Sequence, residues 1–193
     1  HFRWNNQVLA AQGYVVACVN YHGSSSFGQR FLESIDCDWG RREFADIEAG
    51  TDFLLKQGWI DPKRLLAAGG SYGGYPVGWG NGHTGRYKAY VCHAGCFDWV
   101  SMISDDVWYW HPKELGAWYW EDPRRVDAQS PRAFVKRMKT PTLVIHGRED
   151  YRVPDAQGLA YYNTLMAKGV PARLVFFPDE NHWILKPQNS RLW

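Results

Sequence analysis

Short apolar runs alternate with segments of helical spacing along this chain, and this alternation constrains its fold more than any other feature. A continuous run of apolar and β-branched residues is typical of a strand that is buried on both faces. The predicted strands are Tyr14–Asn20, Leu65–Ala68, Ala89–Cys92, Thr142–Ile145 and Ala172–Phe177.

Helical segments lie between these runs, and several of them end at a glycine, which is a common helix stop. The predicted helices are Asn5–Gln12, Trp39–Gln57, a helix that starts at Tyr72, and Pro154–Lys168. Strands that alternate with helices form βαβ units, so we predict the α/β class, with a mainly parallel sheet and helices on both faces. The stretch between the third and fourth strands is too long for one crossover, and we expect a helical or aromatic excursion there.

Composition excludes several classes of protein. The 193 residues are enough for one domain with a sizeable core, and the hydrophobic fraction of 45% argues against disorder. A net charge of +2 and the lack of a run of Lys or Arg do not indicate a surface that binds nucleic acid. No stretch approaches the roughly 18 apolar residues that a membrane helix needs. The four cysteines do not make a disulfide scaffold in a chain of this length, and their spacing does not predict a metal site.

Three predicted strands are each followed by a residue type that hydrolytic catalysis uses. Ser71 lies in a Gly-x-Ser-x-Gly turn between a strand and a helix, where the hydroxyl is lifted above the sheet. Asp150 follows the strand Thr142–Ile145, where a carboxylate can orient an imidazole. His182 follows the last strand, within reach of a serine as a general base. Because parallel sheets bind ligands beyond the carboxyl ends of their strands, we expect these three side chains to meet.

The order Ser71, Asp150, His182 along the chain is that of the α/β-hydrolase triad and differs from the orders of chymotrypsin and subtilisin. Taken alone, Asp150 can be read as a helix cap, and a single histidine as a packing or surface residue. Three coincidences of residue type, context and order favour a catalytic triad over these separate readings.

The motifs around these residues resemble the prolyl oligopeptidase family, most closely its acylaminoacyl-peptidase and dipeptidyl-aminopeptidase branches. The matching residues are Gly69-Gly70-Ser71-Tyr72-Gly73-Gly74-Tyr75, His146-Gly147, Asp150-x-Arg152-Val153-Pro154 and Asp179-x-x-His182. An earlier segment, Asn20-Tyr21-His22-Gly23-Ser24, resembles the N-x-R-G-S loop of that family, with His22 in place of the usual arginine.

The resemblance implies a role for each matching residue. Ser71 is then the nucleophile, His182 the base and Asp150 the acid that orients it. The backbone N–H of Tyr72 becomes one oxyanion donor, and Arg152 becomes a contact for a substrate carbonyl. The implied reaction runs through an acyl-enzyme and needs no metal or organic cofactor.

Departures from the family pattern shape what we expect of the domain. Residues 1–193 are predicted to form an α/β-hydrolase catalytic domain that is truncated at both ends, without its first strands and last helix. The His-Gly-Gly-Pro segment that supplies a second oxyanion donor and the N-terminal β-propeller are both absent from the sequence. A missing propeller or a homo-oligomer is therefore an expected partner. Pro76, Gly78, Gly80 and Gly82 suggest a weakened or shortened helix after Ser71.

Three hypotheses about function remain open. The first is a serine peptidase that cleaves aminoacyl, dipeptidyl or acylaminoacyl bonds, the second a carboxylesterase for small acyl esters, and the third a catalytically weak fragment or binding module. The aromatic residues from Phe97 to Trp120 can pack in the core, face a partner or wall an apolar pocket. In the last reading, Trp108 and Trp110 contact the substrate. Peptide or ester substrates are expected as ligands, with no nucleic acid and no membrane partner. The sequence is that expected of a soluble protein and does not decide between the cytoplasm and the periplasm.

Overall fold

A single parallel sheet of four strands organises the fold, in a computed structural model that describes residues 4–193. The strand order follows the chain order, and every neighbouring pair is parallel. The strands are β1 (Leu66–Gly70), β2 (Ala89–His93), β3 (Thr142–Gly147) and β4 (Ala172–Phe177). The predicted α/β class and the parallel sheet are thus confirmed.

Eight α-helices accompany the sheet within residues 4–193. They are α1 (Asn6–Ala10), α2 (Gln29–Leu32), α3 (Arg42–Leu55), α4 (Gly74–His83), α5 (His111–Leu115), α6 (Pro123–Ala128), α7 (Asp155–Ala167) and α8 (Pro187–Leu192). The long excursion between β2 and β3 contains α5, α6 and several 3₁₀ turns, as the sequence predicted. The six-residue helix α8 was not predicted. None of the helices in this part of the chain has the length and hydropathy of a membrane span.

Side chains of the sheet alternate between two apolar clusters. Tyr90, Cys92 and Val144 point to the face where Val77 of α4 and Tyr161 of α7 pack. The intervening residues of the same strands point the other way. There they meet the C-terminal end of the described chain, and this second cluster contains Val91, Leu143, Ile145, Val175, Phe177, Ile184 and Trp193. Elements therefore cover both faces of the sheet.

The predicted strand Tyr14–Asn20 is wrong. The segment is not part of the sheet, because β1 pairs only with β2 and no other strand of the described chain flanks it. Tyr14 and Val15 are 50% and 55% exposed, whereas a strand in the centre of a sheet would bury both. Val19 packs on Gly50 of α3, so the apolar run is used for a helix contact instead of a backbone ladder.

The helix that follows Ser71 is also not shortened by its glycines and proline. Helix α4 continues to His83 and includes Pro76, Gly78, Gly80 and Gly82. Pro76 lies in its first turn, where a proline is tolerated. The glycines allow close packing: a methyl group on Gly80 would lie 2.8 Å from the ring of Phe44, and one on Gly82 would lie 2.6 Å from Phe134. The expectation of a shortened helix is wrong because it counted helix propensity without this tertiary packing.

Helix α4 starts directly against the end of β2, and this contact sets the position of the turn that carries Ser71. A Cβ atom on Gly74 would lie 2.6 Å from Cα of Gly95 and 3.0 Å from the carbonyl oxygen of His93. Both obstacles are backbone atoms, which cannot rotate away as a side chain does. The first residue of α4 can therefore carry no side chain.

A matched pair of substitutions tests this contact. Gly74→Ala should lower the free energy of unfolding by about 1–3 kcal/mol, as overpacking of a close backbone contact does. Gly73→Ala is the control, since its Cβ meets no atom within 4 Å and its φ is −62°. Urea denaturation followed by tryptophan fluorescence should show the loss only for Gly74→Ala. Equal stability of the two variants would contradict the proposed close approach.

Candidate active site

Ser71 lies in a strained turn between β1 and α4. Its φ is +58°, in the left-handed region that a residue with a side chain rarely adopts. A tight backbone approach accompanies this conformation, because a Cβ on Gly69 would lie 2.0 Å from the carbonyl oxygen of Gly73. This is the geometry expected of a strand-to-helix turn that presents a serine hydroxyl above a sheet.

Asp150 is held by the loop that follows β3. Its Oδ1 accepts the backbone N–H groups of Arg152 at 3.0 Å and Val153 at 2.9 Å. The Val153 carbonyl oxygen in turn lies 2.8 Å from Nε2 of His146, which is fully buried. His146 Nε2 also lies 3.4 Å from Asp150 Oδ2. These contacts fix the carboxylate in one orientation, with Oδ2 directed at His182.

His182 lies on the loop after β4, and Glu180 organises that loop. Glu180 is 3% exposed, and its carboxylate accepts hydrogen bonds from the backbone N–H groups of Leu185 and Lys186, at 2.7 Å and 2.9 Å. It also accepts a bond from the side chain of Asn189 at 2.8 Å. The loop after β3 is tied to this one, because the N–H of Glu149 donates to the carbonyl oxygen of Glu180 at 2.8 Å.

The structure brings the three predicted side chains into one hydrogen-bonded chain. His182 Nδ1 lies 2.7 Å from Asp150 Oδ2, and His182 Nε2 lies 2.8 Å from Ser71 Oγ. Asp150 is 3% exposed and His182 is 9% exposed. Since a carboxylate only accepts hydrogen bonds, the ring proton belongs on Nδ1, which leaves Nε2 free to accept the serine proton.

Burial and hydrogen bonding act in opposite directions on Asp150. Burial disfavours the charged form and raises its pKa, whereas hydrogen bonds from His146 and His182 lower it. The hydrogen bonds prevail, and the pKa of Asp150 falls to about 2. The carboxylate is therefore charged throughout the neutral range.

Tyr72 is the second residue of a 3₁₀ turn, Ser71–Gly73, that leads into α4. The role of its backbone N–H as an oxyanion donor stays a prediction. Its ring lies in an aromatic group with Trp39 and Tyr75, at centroid distances of 4.7 Å and 5.7 Å. Its hydroxyl donates to the buried Glu43 at 2.7 Å. A pocket of about 440 Å³ opens beside Tyr72, with Tyr21 and Trp39 among its walls.

The residues predicted to contact substrate lie farther out. Arg152 is half-exposed and forms a two-point ion pair with Asp106, in which the Nε–Oδ1 distance is 2.6 Å. Trp108 and Trp110 are 51% and 48% exposed, on a 3₁₀ turn next to α5. Neither tryptophan lines the pocket beside Tyr72. Their role at a substrate site stays a prediction.

Sequence reasoning missed Glu43, His146 and Glu180 as parts of this site. The sequence marked His146 only as a motif residue. In the structure its Nε2 contacts the Val153 carbonyl oxygen and the Asp150 carboxylate. Glu180 lies two positions before His182, and only the folded loop shows that its carboxylate collects three donors. Among residues 4–193, no group of three or more His, Cys, Asp or Glu side chains is arranged to hold a metal ion.

Comparison with known proteins agrees with this geometry. The sequence profile described as the prolyl oligopeptidase family matches residues 1–193, which is the whole chain. The chain belongs to the prolyl oligopeptidase family. Membership explains why the matching motifs fall at the ends of β1, β3 and β4.

Two curated relatives illustrate the extent of the similarity. Dipeptidyl-peptidase 5 of Schizosaccharomyces pombe is 40% identical over 195 residues, and that of Porphyromonas gingivalis is 37% identical over 201 residues. The alignments cover 99% and 100% of this chain but 29% of each relative. The chain thus spans less than a third of the length of these relatives.

A solved structure shows the same fold. The acylaminoacyl peptidase of Pyrococcus horikoshii superposes with a TM-score of 0.90 at 28% sequence identity, covering 96% of this chain and 31% of that chain. The predicted α/β-hydrolase fold is confirmed by this match.

The strain at Ser71 leads to a testable prediction. Ser71→Gly and Ser71→Ala both remove the hydroxyl, but only glycine relaxes the positive φ. We expect Ser71→Gly to be more stable than Ser71→Ala by about 1 kcal/mol, as measured by urea denaturation. At Ser101, in a 3₁₀ turn without positive φ, the same pair should rank in the opposite order. A lower stability of Ser71→Gly than of Ser71→Ala would argue against strain.

Proposed function

We propose that this chain is the catalytic part of a serine peptidase, with Ser71 as nucleophile, His182 as general base and Asp150 as the residue that orients His182. One observation carries the proposal: the continuous hydrogen-bonded chain from Ser71 Oγ through both ring nitrogens of His182 to Asp150 Oδ2. Membership of the prolyl oligopeptidase family supports the same reaction class.

The first half of the reaction forms an acyl-enzyme. Ser71 Oγ attacks the carbonyl carbon of the scissile bond while His182 Nε2 takes the hydroxyl proton. The backbone N–H of Tyr72, in the turn before α4, donates a hydrogen bond to the negatively charged carbonyl oxygen. The C–N bond then breaks, and His182 returns the proton to the leaving amine.

The second half regenerates the enzyme. A water molecule attacks the acyl carbon while His182 Nε2 takes its proton, and the C–O bond to Ser71 breaks as that proton passes to Oγ. Asp150 stays charged throughout, because its pKa of about 2 lies far below neutrality. Its negative charge stabilises the imidazolium that forms in both halves.

The names of the relatives support a peptide substrate. The two curated relatives are called dipeptidyl-peptidase 5 and the solved structure is an acylaminoacyl peptidase, so we propose a bond close to the N-terminus of a peptide. In this proposal Arg152 contacts a carbonyl of the substrate, and Asp106 holds the guanidinium in place. The carboxylesterase hypothesis keeps the same three side chains and differs only in the leaving group.

Steady-state kinetics on the full-length chain test the proposal. Wild-type protein should hydrolyse both a dipeptidyl-arylamide and a short acyl ester, and Ser71→Ala should lose both activities. Asp150→Asn should lose about 10³–10⁴-fold in kcat while remaining folded, because the imidazole then loses its orienting acceptor. Ester turnover without amide turnover would favour the carboxylesterase. Amide hydrolysis that survives Ser71→Ala would contradict the proposal.

The aromatic residues give a separate prediction about specificity. The double variant Trp108→Ala, Trp110→Ala should alter substrate preference. We expect the ratio of kcat/KM for arylamides with an apolar residue at the cleaved bond to kcat/KM for those with a polar residue to change by about tenfold. A tenfold change corresponds to roughly 1.4 kcal/mol of contact with the pocket. Stability should change little, since both rings are half-exposed. An unchanged ratio would remove these two residues from the substrate site.

A further inference from the structure

Glu43 is the most deeply buried carboxyl group that the proposed reaction does not use. It lies near the start of α3 and is 0% exposed. Its Oε1 atom accepts hydrogen bonds from the backbone N–H of Gly40 and from the hydroxyl of Tyr72, the latter at 2.7 Å. Its Oε2 atom has no hydrogen-bond partner among residues 4–193. Burial of a carboxyl group with an unsatisfied oxygen costs stability, and burial here raises the pKa of Glu43.

Tyr72 connects this carboxyl group to the reacting centre. Its hydroxyl end is bonded to Glu43, and its backbone directly follows Ser71. The ring between them is enclosed by aromatic neighbours, with centroids of Trp39, Tyr75 and Tyr21 at 4.7 Å, 5.7 Å and 6.0 Å. A side chain packed on its faces and bonded at its tip has little freedom to rotate. A ring held in this way also limits how far the Tyr72 backbone, with its N–H, can move.

We propose that Glu43 is a positioning residue for the oxyanion site. Its carboxyl oxygen fixes Tyr72 by accepting a hydrogen bond from the tyrosine hydroxyl. The inference rests on the proposed function, because it concerns the N–H group that meets the carbonyl oxygen of the substrate. A donor in an oxyanion site must lie about 2.7–3.1 Å from the developing charge, so a small displacement weakens stabilisation of the transition state more than binding of the substrate.

The size of the effect follows from the loss that removal of a whole donor causes. Removal of one oxyanion donor lowers kcat by about 10²–10³-fold. Loss of the Glu43–Tyr72 bond leaves the donor in place but less well directed, so we expect a smaller decrease of about tenfold in kcat with KM changed less than about twofold.

A purely structural role makes a different prediction. Glu43 also accepts the N–H of Gly40 just before α3, and that bond alone would stabilise the start of the helix. In that case the loss of Glu43 would lower the stability of the fold, and the hydroxyl of Tyr72 would have no influence on kcat.

The chain offers a matched control on the same helix. Glu48 of α3 accepts a hydrogen bond from the hydroxyl of Tyr87 at 2.9 Å, and the Tyr87 hydroxyl also contacts Thr51 at 3.0 Å. Tyr87 is 5% exposed, and Tyr87→Phe removes a tyrosine–glutamate hydrogen bond whose carboxylate, unlike that of Glu43, is partly exposed and also paired with Arg86. Tyr87 packs against Tyr90 of β2, in the apolar cluster that contains Val77 and Tyr161, and not against the turn that carries Ser71.

The experiment compares Tyr72→Phe, Glu43→Leu, their combination, Glu43→Gln and Tyr87→Phe in the full-length chain. For each variant, kcat and KM are measured on an acyl ester, with the concentration of active sites titrated by a fluorophosphonate. The midpoint of urea denaturation is measured in parallel.

Tyr72→Phe and Glu43→Leu should each lower kcat about tenfold. The double variant should be no worse than either single one, because all three lack the same hydrogen bond. Glu43→Gln retains an acceptor for the Tyr72 hydroxyl and should stay within about threefold of wild type. Tyr87→Phe should lower only the denaturation midpoint.

Two results would overturn the proposal. One is a wild-type kcat in Tyr72→Phe, which would leave Glu43 a helix residue only. The other is an equal loss of kcat in Tyr87→Phe, which would mean that any lost tyrosine–glutamate bond on α3 has the same effect. Neither result concerns the nucleophile, whose assignment is tested separately by turnover in Ser71→Ala.

Discussion

The close approach of two backbones at the carboxyl end of the sheet supports the rest of the site. Gly74 at the start of α4 lies so near Gly95, just beyond β2, that neither position leaves room for a Cβ. The turn between β1 and α4 is thereby compressed, and Ser71 takes a φ of +58°. Packing of the core holds this strained conformation in place, since Val77 of α4 lies in the same cluster as Tyr90 and Cys92 of β2. The hydroxyl of Ser71 is presented because the sheet and the helix leave the turn no relaxed alternative.

The side chains of Asp150 and His182 are positioned by hydrogen bonds between the loops that carry them. The loop after β3 donates from Glu149 to the carbonyl oxygen of Glu180 in the loop after β4, so the two loops hold each other in register. Buried side chains then fix the inside of each loop, with His146 on the Asp150 side and Glu180 on the His182 side. Donors on both carboxyl oxygens restrict the movement of Glu180, and a lost partner would leave a costly unpaired group. The distances of 2.7 Å and 2.8 Å around His182 result from this bracing.

Much of this arrangement could be predicted from local sequence signals. The run that became β3 is continuous and rich in β-branched residues, and β4 matches its predicted bounds of Ala172–Phe177. Ser71, Asp150 and His182 were found because each follows a strand, and a parallel sheet gathers its carboxyl ends at one edge. The run Tyr14–Asn20 carries the same signal, but a strand forms only where another strand pairs with it, and that depends on distant parts of the chain. Glu43 escaped prediction for a similar reason, because its partner Tyr72 lies 29 positions away and meets it only in the folded core.

The central claim is that the folded chain activates one serine, Ser71, through His182. The most direct measurement is peptide mapping by mass spectrometry after the full-length chain has reacted with a fluorophosphonate. The account predicts a single adduct, on the peptide that contains Ser71, and no adduct in His182→Ala or after denaturation in urea. An adduct on another serine, or equal labelling of Ser71 in folded His182→Ala, would contradict it.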